Sequence, residues 1–211
     1  MPSELSTKIV DLKRDQALEL IRTRAASGED PMTIIGDCRA GMMIVGERYN
    51  KGEFFLAELV LSGQIFKQAF EVLQPYLVQA GPGKDLGTVV LATLQGDIHD
   101  LGKDIVGTML EARGFTVHNL GVNVPLLTLL DKVRAVRPDF VGLSVLMTTI
   151  FDTMKTAADQ LVAEGLRDSL KILIGGAVVT AELKDYIGAD FHTTDAMAGV
   201  QYCMDNLKGD A

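Results

Sequence analysis

From residue 88 onward the chain repeats one unit: a short apolar run, a loop carrying Gly or Asp, then a stretch with apolar residues at helical spacing. The apolar runs occupy residues 88–94, 115–120, 140–146, 171–174 and 191–193. Between and after them, helices are expected over residues 102–113, 125–136, 149–164, 181–187 and 195–207. Runs this apolar are buried on both faces, and a helix between strands returns the chain to the same edge of a sheet. The pattern therefore predicts an α/β fold, a doubly wound five-stranded parallel sheet of flavodoxin-like or Rossmann-like type. Such sheets bind ligands at the carboxyl ends of their strands, where the strand order reverses.

Residues 1–80 lack any strand-like run and read as helices. Ser3 can cap a first helix, with Leu5, Ile9 and Leu12 at helical spacing, closed by the Ala-Ala-Ser-Gly stretch ending at Gly28. Asp30-Pro31 opens a second helix to about Asn50, which Lys51-Gly52 breaks; a third is expected from Glu53 to Gly63 and a fourth over 64–79. Four helices with short connections make a small N-terminal bundle. The segment 81–85 (GPGKD) marks a boundary, giving a helical domain over 1–83 and an α/β domain over 84–211.

Composition excludes several classes of function. With 47% hydrophobic and 23% charged residues the chain is globular rather than disordered. Its net charge of −8 and the lack of a Lys/Arg cluster argue against a nucleic-acid partner. No apolar run reaches the ~18 residues of a membrane helix, and the first 20 residues lack a signal-peptide core, so the protein is expected in the cytoplasm and off the membrane. Cys38 and Cys203 stand alone, which disfavours a disulfide framework or a zinc site. Histidine chemistry has three candidates, His99, His118 and His192; the last two fall in or beside strands and read as structural.

Polar groups and glycines gather after the strands: Gln95-Gly96-Asp97-Ile98-His99-Asp100-Leu101-Gly102-Lys103-Asp104, then Ser144 to Thr149, Gly175-Gly176-Ala177, and Thr194-Asp195-Ala196. The first loop is not a phosphate loop. Five residues separate Gly96 from Gly102 where that motif has four, Asp104 replaces its Ser/Thr, and Asp97 and Asp100 would repel phosphate. Two readings remain on these residues alone. His99 is an ordinary surface or core histidine, or it is a metal ligand whose second ring nitrogen is held by Asp97. One imidazole is too few for zinc, but it suffices for a metal already held in a macrocycle.

The set Asp97-x-His99-x-x-Gly102, Ser144-x-Leu146 and Gly175-Gly176, in that order and at those strand ends, resembles the cobalamin-binding family. It is most similar to the corrinoid domain of methionine synthase and to the small corrinoid proteins of three-component methyltransferase systems. Nearly the whole chain is covered, including a helical cap with Gly41-Met42, Val45-Gly46 and residues 51–59 in register. The resemblance implies cobalamin or a related corrinoid as cofactor, with methylcobalamin as the loaded form. His99 would be the lower axial cobalt ligand, Asp97 would accept from its distal nitrogen, and Ser144 would extend that relay. The displaced nucleotide tail would enter a slot kept open by Gly142, Gly175 and Gly176. Gly96, Ile98, Asp100, Gly102, Leu146, Thr148 and Ala196 match further cofactor-contacting positions. Tyr49 and Leu56 match cap positions over the upper, methyl-bearing face, although an apolar helix stripe also packs as plain core. Asp104, Ala57, Asn123 and Val178 depart from the family's frequent Asn, Pro, Asp and Pro, and leave the subfamily open.

The function implied is a methyl carrier without a complete active site of its own. A substrate-specific methyltransferase would load it, a second one using tetrahydrofolate or coenzyme M would unload it, and a reductive activator protein would restore oxidised cofactor. The chain has no room for the homocysteine and folate modules of full methionine synthase, and segment 81–85 is the expected hinge for a cap that swings aside. The alternatives are a cobalamin-dependent sensor and an adenosylcobalamin mutase subunit. A sensor normally carries a DNA-binding or signalling module, and a mutase depends on a substrate barrel.

Overall fold

The computed structural model describes residues 2–77 and 86–207, so the boundary expected at 83/84 and the expected hinge lie outside the described residues. The chain divides into two compact units, Met1–Gln79 and Ala80–Ala211.

The first unit contains four helices: α1 (Glu4–Val10), α2 (Arg14–Ala26), α3 (Pro31–Asn50) and α4 (Leu56–Leu77). The number matches the expectation but the division does not. The single helix expected up to residue 28 is two, because the backbone turns left-handed at Leu12 (φ +57°) and the Lys13 N–H closes on the Lys8 carbonyl. This turn lets both Leu5 and Ile9 of α1 and Leu18 and Ile21 of α2 face one core. Helical periodicity persists on each side, so the spacing carries no trace of the break. Gly63, expected to end a helix, sits inside α4, whose buried face runs on through Ser62, Ile65, Ala69 and Leu73. Asp30 does cap α3, accepting from Met32 and Thr33 N–H, with Pro31 in the first turn. Gly41 is required for close packing: a Cβ there would stand 2.9 Å from the Ser6 carbonyl oxygen of α1.

The second unit is a five-stranded, all-parallel sheet of β1 (Thr88–Thr93), β2 (Thr116–Asn119), β3 (Phe140–Ser144), β4 (Lys171–Gly175) and β5 (Phe191–Thr193), in the order β2-β1-β3-β4-β5. The helices are α5 (Leu101–Ala112), α6 (Leu126–Val136), α7 (Phe151–Ala163), α8 (Ala181–Ile187) and α9 (Ala196–Asp205). The chain leaves β1 toward β2, then crosses back to β3 on the other side. The switch point therefore lies between β1 and β3, and the loops after those strands flank it.

The two faces of the sheet differ. Val90, Ala92, Leu94, Val141, Leu143, Val145, Ile172 and Ile174 form one buried core with Leu129, Leu130 and Val133 of α6, Met154 and Leu161 of α7, and Leu183 of α8. On the opposite face Gly107 of α5 approaches Leu91 and Gly199 of α9 approaches Thr193. There Gly142 and Ser144 of β3, Leu173 and Gly175 of β4, and Thr193 of β5 are only partly buried and pair side by side. Alternation along each strand sends one set of side chains to a sealed core and the other to this open strip. Among the described residues no helix is long and apolar enough to cross a membrane.

A Cβ at Gly63 would meet nothing within 4 Å. Gly63→Ala should stabilise the helical unit by roughly 0.5–1 kcal/mol through the unfolded chain's lost freedom, read as a higher denaturant midpoint; a lower midpoint would contradict the unbroken α4. Both cysteines are buried, and burial pushes each thiol up to about 12. Neither Cys38 nor Cys203 should react with a thiol reagent at neutral pH until the protein is denatured, as absorbance titration of native and unfolded samples would show.

Candidate functional site

The loop after β1 is built around a carboxylate that has no contact with water. Asp97 is 0% exposed. Its Oδ1 accepts the His99 backbone N–H at 3.0 Å and meets the His99 ring Nδ1 at 2.6 Å. Its Oδ2 accepts the backbone N–H groups of Leu146 at 2.7 Å and Met147 at 2.9 Å, just past the end of β3. Burial alone raises this carboxyl's pKa, but the backbone donors of Leu146, His99 and Met147 and the imidazole outweigh it, and the net value is lowered to about 2. Asp97 is therefore ionised at neutral pH. An ionised carboxylate only accepts, so Nδ1 carries the proton and Nε2 keeps its lone pair. The His99 side chain is 49% exposed, and Thr93 Oγ1, fully buried at the end of β1, holds its carbonyl at 3.0 Å.

Ser144 does not extend this relay. No hydrogen bond joins its hydroxyl to Asp97; the Leu146 and Met147 amides take the place expected for it. Ser144 stands between Thr93 of β1 and Gly175 of β4 in the sheet, and the amides that meet Asp97 come from the chain just beyond it.

The other positions fall at the carboxyl rim or along the strip. Gly96 has φ +102°, Ile98 is 71% exposed, Asp100 precedes α5, and Gly102 in its first turn has open space around it. Leu146 and Thr148 are exposed after β3, and Ala196 opens α9 behind the Asp195 cap. Gly176 tolerates no side chain: with φ +142°, a Cβ would overlap the Val145 carbonyl oxygen at 1.8 Å. Gly142 is constrained differently, since its Cβ would meet a Leu91 methyl at 2.5 Å. Tyr49 and Leu56 belong to the helical unit, at the end of α3 and the start of α4, and are surface residues there rather than core. Phe55, within the stretch 51–59, is exposed near them, as is Val60, which escaped the sequence reading. So did Thr93, Asn123 and the two amides on Asp97; backbone groups have no letter in a sequence, and Asn123 looked only like a departure from a motif.

What can this arrangement hold? Among the described residues no group of three or more His, Cys, Asp or Glu could bind a metal ion. Any metal at His99 must bring its other ligands with it. Ile98, which precedes His99, and Leu146 and Met147, whose amides meet the same carboxylate, are exposed apolar residues. On the partly buried face of the sheet lie Gly142, Ser144, Leu173, Gly175 and Thr193. A single imidazole held by a buried carboxylate fits a metal that brings its own macrocycle, as a corrinoid does. Fold and site define a class of protein, one that offers a single imidazole to a metal held by its own macrocycle.

Comparison with known proteins agrees. A family model described as a B12 binding domain matches residues 87–201, and a second of the same description matches residues 3–74. The dimethylamine corrinoid protein of Methanosarcina barkeri is 35% identical over 93% of this chain and 92% of its own length. Trimethylamine corrinoid protein 1 of Methanosarcina acetivorans is 37% identical over 92% of each. The structure of the Methanosarcina barkeri monomethylamine corrinoid protein superposes with a TM-score of 0.90 at 32% identity, covering 97% of both chains. A methanol:cobalamin methyltransferase complex from Methanosarcina barkeri gives a TM-score of 0.56 at 26% identity, covering 98% of this chain and 79% of that one. The chain belongs to the B12-binding family of corrinoid proteins, and its cofactor is a corrinoid.

Asp97 generates a prediction for the cofactor-free protein. Its folded pKa lies below its ordinary value near 3.8, so its contribution is present above about pH 4 and is lost as the pH falls toward 2. That contribution is roughly 2 kcal/mol. Asp97→Asn replaces one acceptor oxygen with an amine facing N–H donors, which should cost about 1–3 kcal/mol at pH 7 and flatten stability between pH 4 and 2. Denaturant melts of both proteins across that window check it.

Proposed function

We propose that this chain carries methyl groups between two methyltransferases, with His99 as lower axial ligand to the corrinoid's cobalt. The observation that carries the proposal is the His99–Asp97 pair: a solvent-facing imidazole nitrogen whose partner nitrogen is pinned at 2.6 Å by a buried, ionised carboxylate. Bound corrinoid supplies a cobalt that takes a methyl group when reduced and yields it to an acceptor. The residues of the chain hold and tune that centre. Asp97 would fix the His99 ring through Nδ1 so that Nε2 is the nitrogen offered to the bound cofactor. Gly175, where a Cβ would meet nothing nearer than the Thr193 carbonyl at 3.7 Å, leaves room for the nucleotide tail, while Gly142 and Gly176 let Leu91 and Val145 pack close. Ser144 lines the tail strip in this reading.

The helical unit, residues 1–83, is the cap in this proposal, and Tyr49 and Leu56, exposed on that unit, are its candidate cofactor contacts. The partners are a substrate-specific methyltransferase, a second methyltransferase using tetrahydrofolate or coenzyme M, and a reductive activator protein. Similarity to dimethylamine and trimethylamine corrinoid proteins makes methylated amines the first donors to test.

The test is spectroscopic, then functional. The wild-type chain loaded with hydroxocobalamin should keep its red colour through gel filtration, and after one-electron reduction its electron paramagnetic resonance spectrum should show splitting by an axial nitrogen. His99→Ala should lose the splitting and release cofactor about 10- to 100-fold more readily. Wild-type protein that emerges colourless would refute the assignment. With partner methyltransferases added, a carrier turns over methyl groups from amine to acceptor; binding without any turnover would point to a sensor.

A further inference from the structure

The connection from β2 to α6 runs alongside the segment that leads from β1 to His99. Residues 121–124 and 93–97 are joined by five hydrogen bonds. Three continue the parallel ladder past the ends of the strands: Thr93 N–H to the Gly121 carbonyl at 3.1 Å, Val124 N–H to the Thr93 carbonyl at 3.0 Å, and Gln95 N–H to the Val124 carbonyl at 2.9 Å. The other two belong to Asn123. Its Oδ1 accepts the Gly96 N–H at 3.0 Å, and its own N–H donates to the Asp97 carbonyl at 3.0 Å. One residue thus closes on Gly96 and Asp97 from the far side of the loop.

This closure demands two properties at once. The backbone at Asn123 is left-handed, with φ +52°, a region that Gly, Asn and Asp enter readily and other residues do not. The side chain must also bring an acceptor to the Gly96 N–H, which only Asn or Asp does from this backbone. Gly96 itself has φ +102° and no side chain to fix it, so the loop's shape at that point rests on its bonded neighbours. The next residue is Asp97, whose carboxylate directs the His99 ring. On the other side Thr93 Oγ1 holds the His99 carbonyl. The ligand loop is gripped at its entry by Asn123 and at the histidine by Thr93.

We propose that Asn123 is a positioning residue for the metal-ligating histidine, acting through the backbone of Gly96 and Asp97, with Thr93 as its counterpart at His99. The proposal rests on the reading of His99 as axial ligand. It explains why an acceptor side chain sits in a left-handed turn one strand away from the imidazole it serves. A loop fixed before the cofactor arrives loses less freedom on binding, which favours retention.

Three substitutions separate the two properties. Asn123→Gly keeps the left-handed backbone and removes the acceptor. Asn123→Asp keeps both. Asn123→Ala keeps neither. Each full-length variant is loaded with hydroxocobalamin, and cofactor dissociation is followed. The samples are then reduced by one electron and the axial-nitrogen splitting is quantified. Asn123→Gly should retain the wild-type far-ultraviolet circular dichroism, lose cofactor about 10-fold faster, and show a smaller nitrogen-split fraction, while Asn123→Asp restores both readouts. Amide exchange at Gly96 in the cofactor-free protein should accelerate in Asn123→Gly and not in Asn123→Asp. Thr93→Val against Thr93→Ser repeats the contrast at His99 and decides the matter if Asn123→Gly does not fold. Wild-type retention and full splitting in Asn123→Gly, or a defect in Asn123→Asp equal to that of Asn123→Gly, overturns the proposal. Wild-type protein with no axial-nitrogen signal overturns the ligand assignment instead, whatever Asn123 does.

Discussion

A carboxylate removed from water must find donors, and the second unit is arranged so that Asp97 finds four. Two come from His99, its backbone and its ring, and two from the Leu146 and Met147 amides after β3. An ion buried this way is costly unless every lone pair is occupied. Satisfying it ties the loop after β1 to the loop after β3, across the switch point of the sheet. The chemistry at the rim and the topology of the sheet are therefore one problem with one solution. The strand order places the two loops side by side, and the buried charge locks them there.

That lock leaves His99 with a defined job. Its Nδ1 is committed to Asp97, its side chain is half exposed, and among the described residues no cluster of further metal-ligating groups stands by it. A free ion would gain one ligand from such a site. A metal carried in a macrocycle would need only the one position that such a site offers. The faces of the sheet are unequal: one is sealed by α6, α7 and α8, and on the other Gly142, Ser144, Leu173, Gly175 and Thr193 are only partly buried.

Much of the candidate site was legible because its chemistry resides in side chains with distinctive spacing. Asp97 and His99 two residues apart, Gly102 in the next turn, and Gly175-Gly176 after a β run each carry a physical requirement visible in letters. Ser144 was misassigned for a reason of the same kind. Its type suits a relay, but the groups that meet Asp97 beyond β3 are the Leu146 and Met147 main-chain amides. Asn123 was seen only as an unexpected letter, since neither its left-handed turn nor its bond to Gly96 leaves a mark on nearby residues. In the helical unit, periodicity continues unchanged across the turn at Leu12 and through Gly63, so it could not show where one helix stops.

The sequence by itself determined the alternation of strands and helices, hence a parallel sheet, and the presence of one histidine with a carboxylate beside it. Those follow from local periodicity and from residue chemistry, which short stretches contain in full. The tertiary structure decided which donors close around Asp97, which face of the sheet stays open, and which distant residue grips the ligand loop. Each of these depends on groups up to 50 residues apart being brought within 3 Å. No local pattern encodes such a meeting, because it is the order of strands in the sheet that makes it.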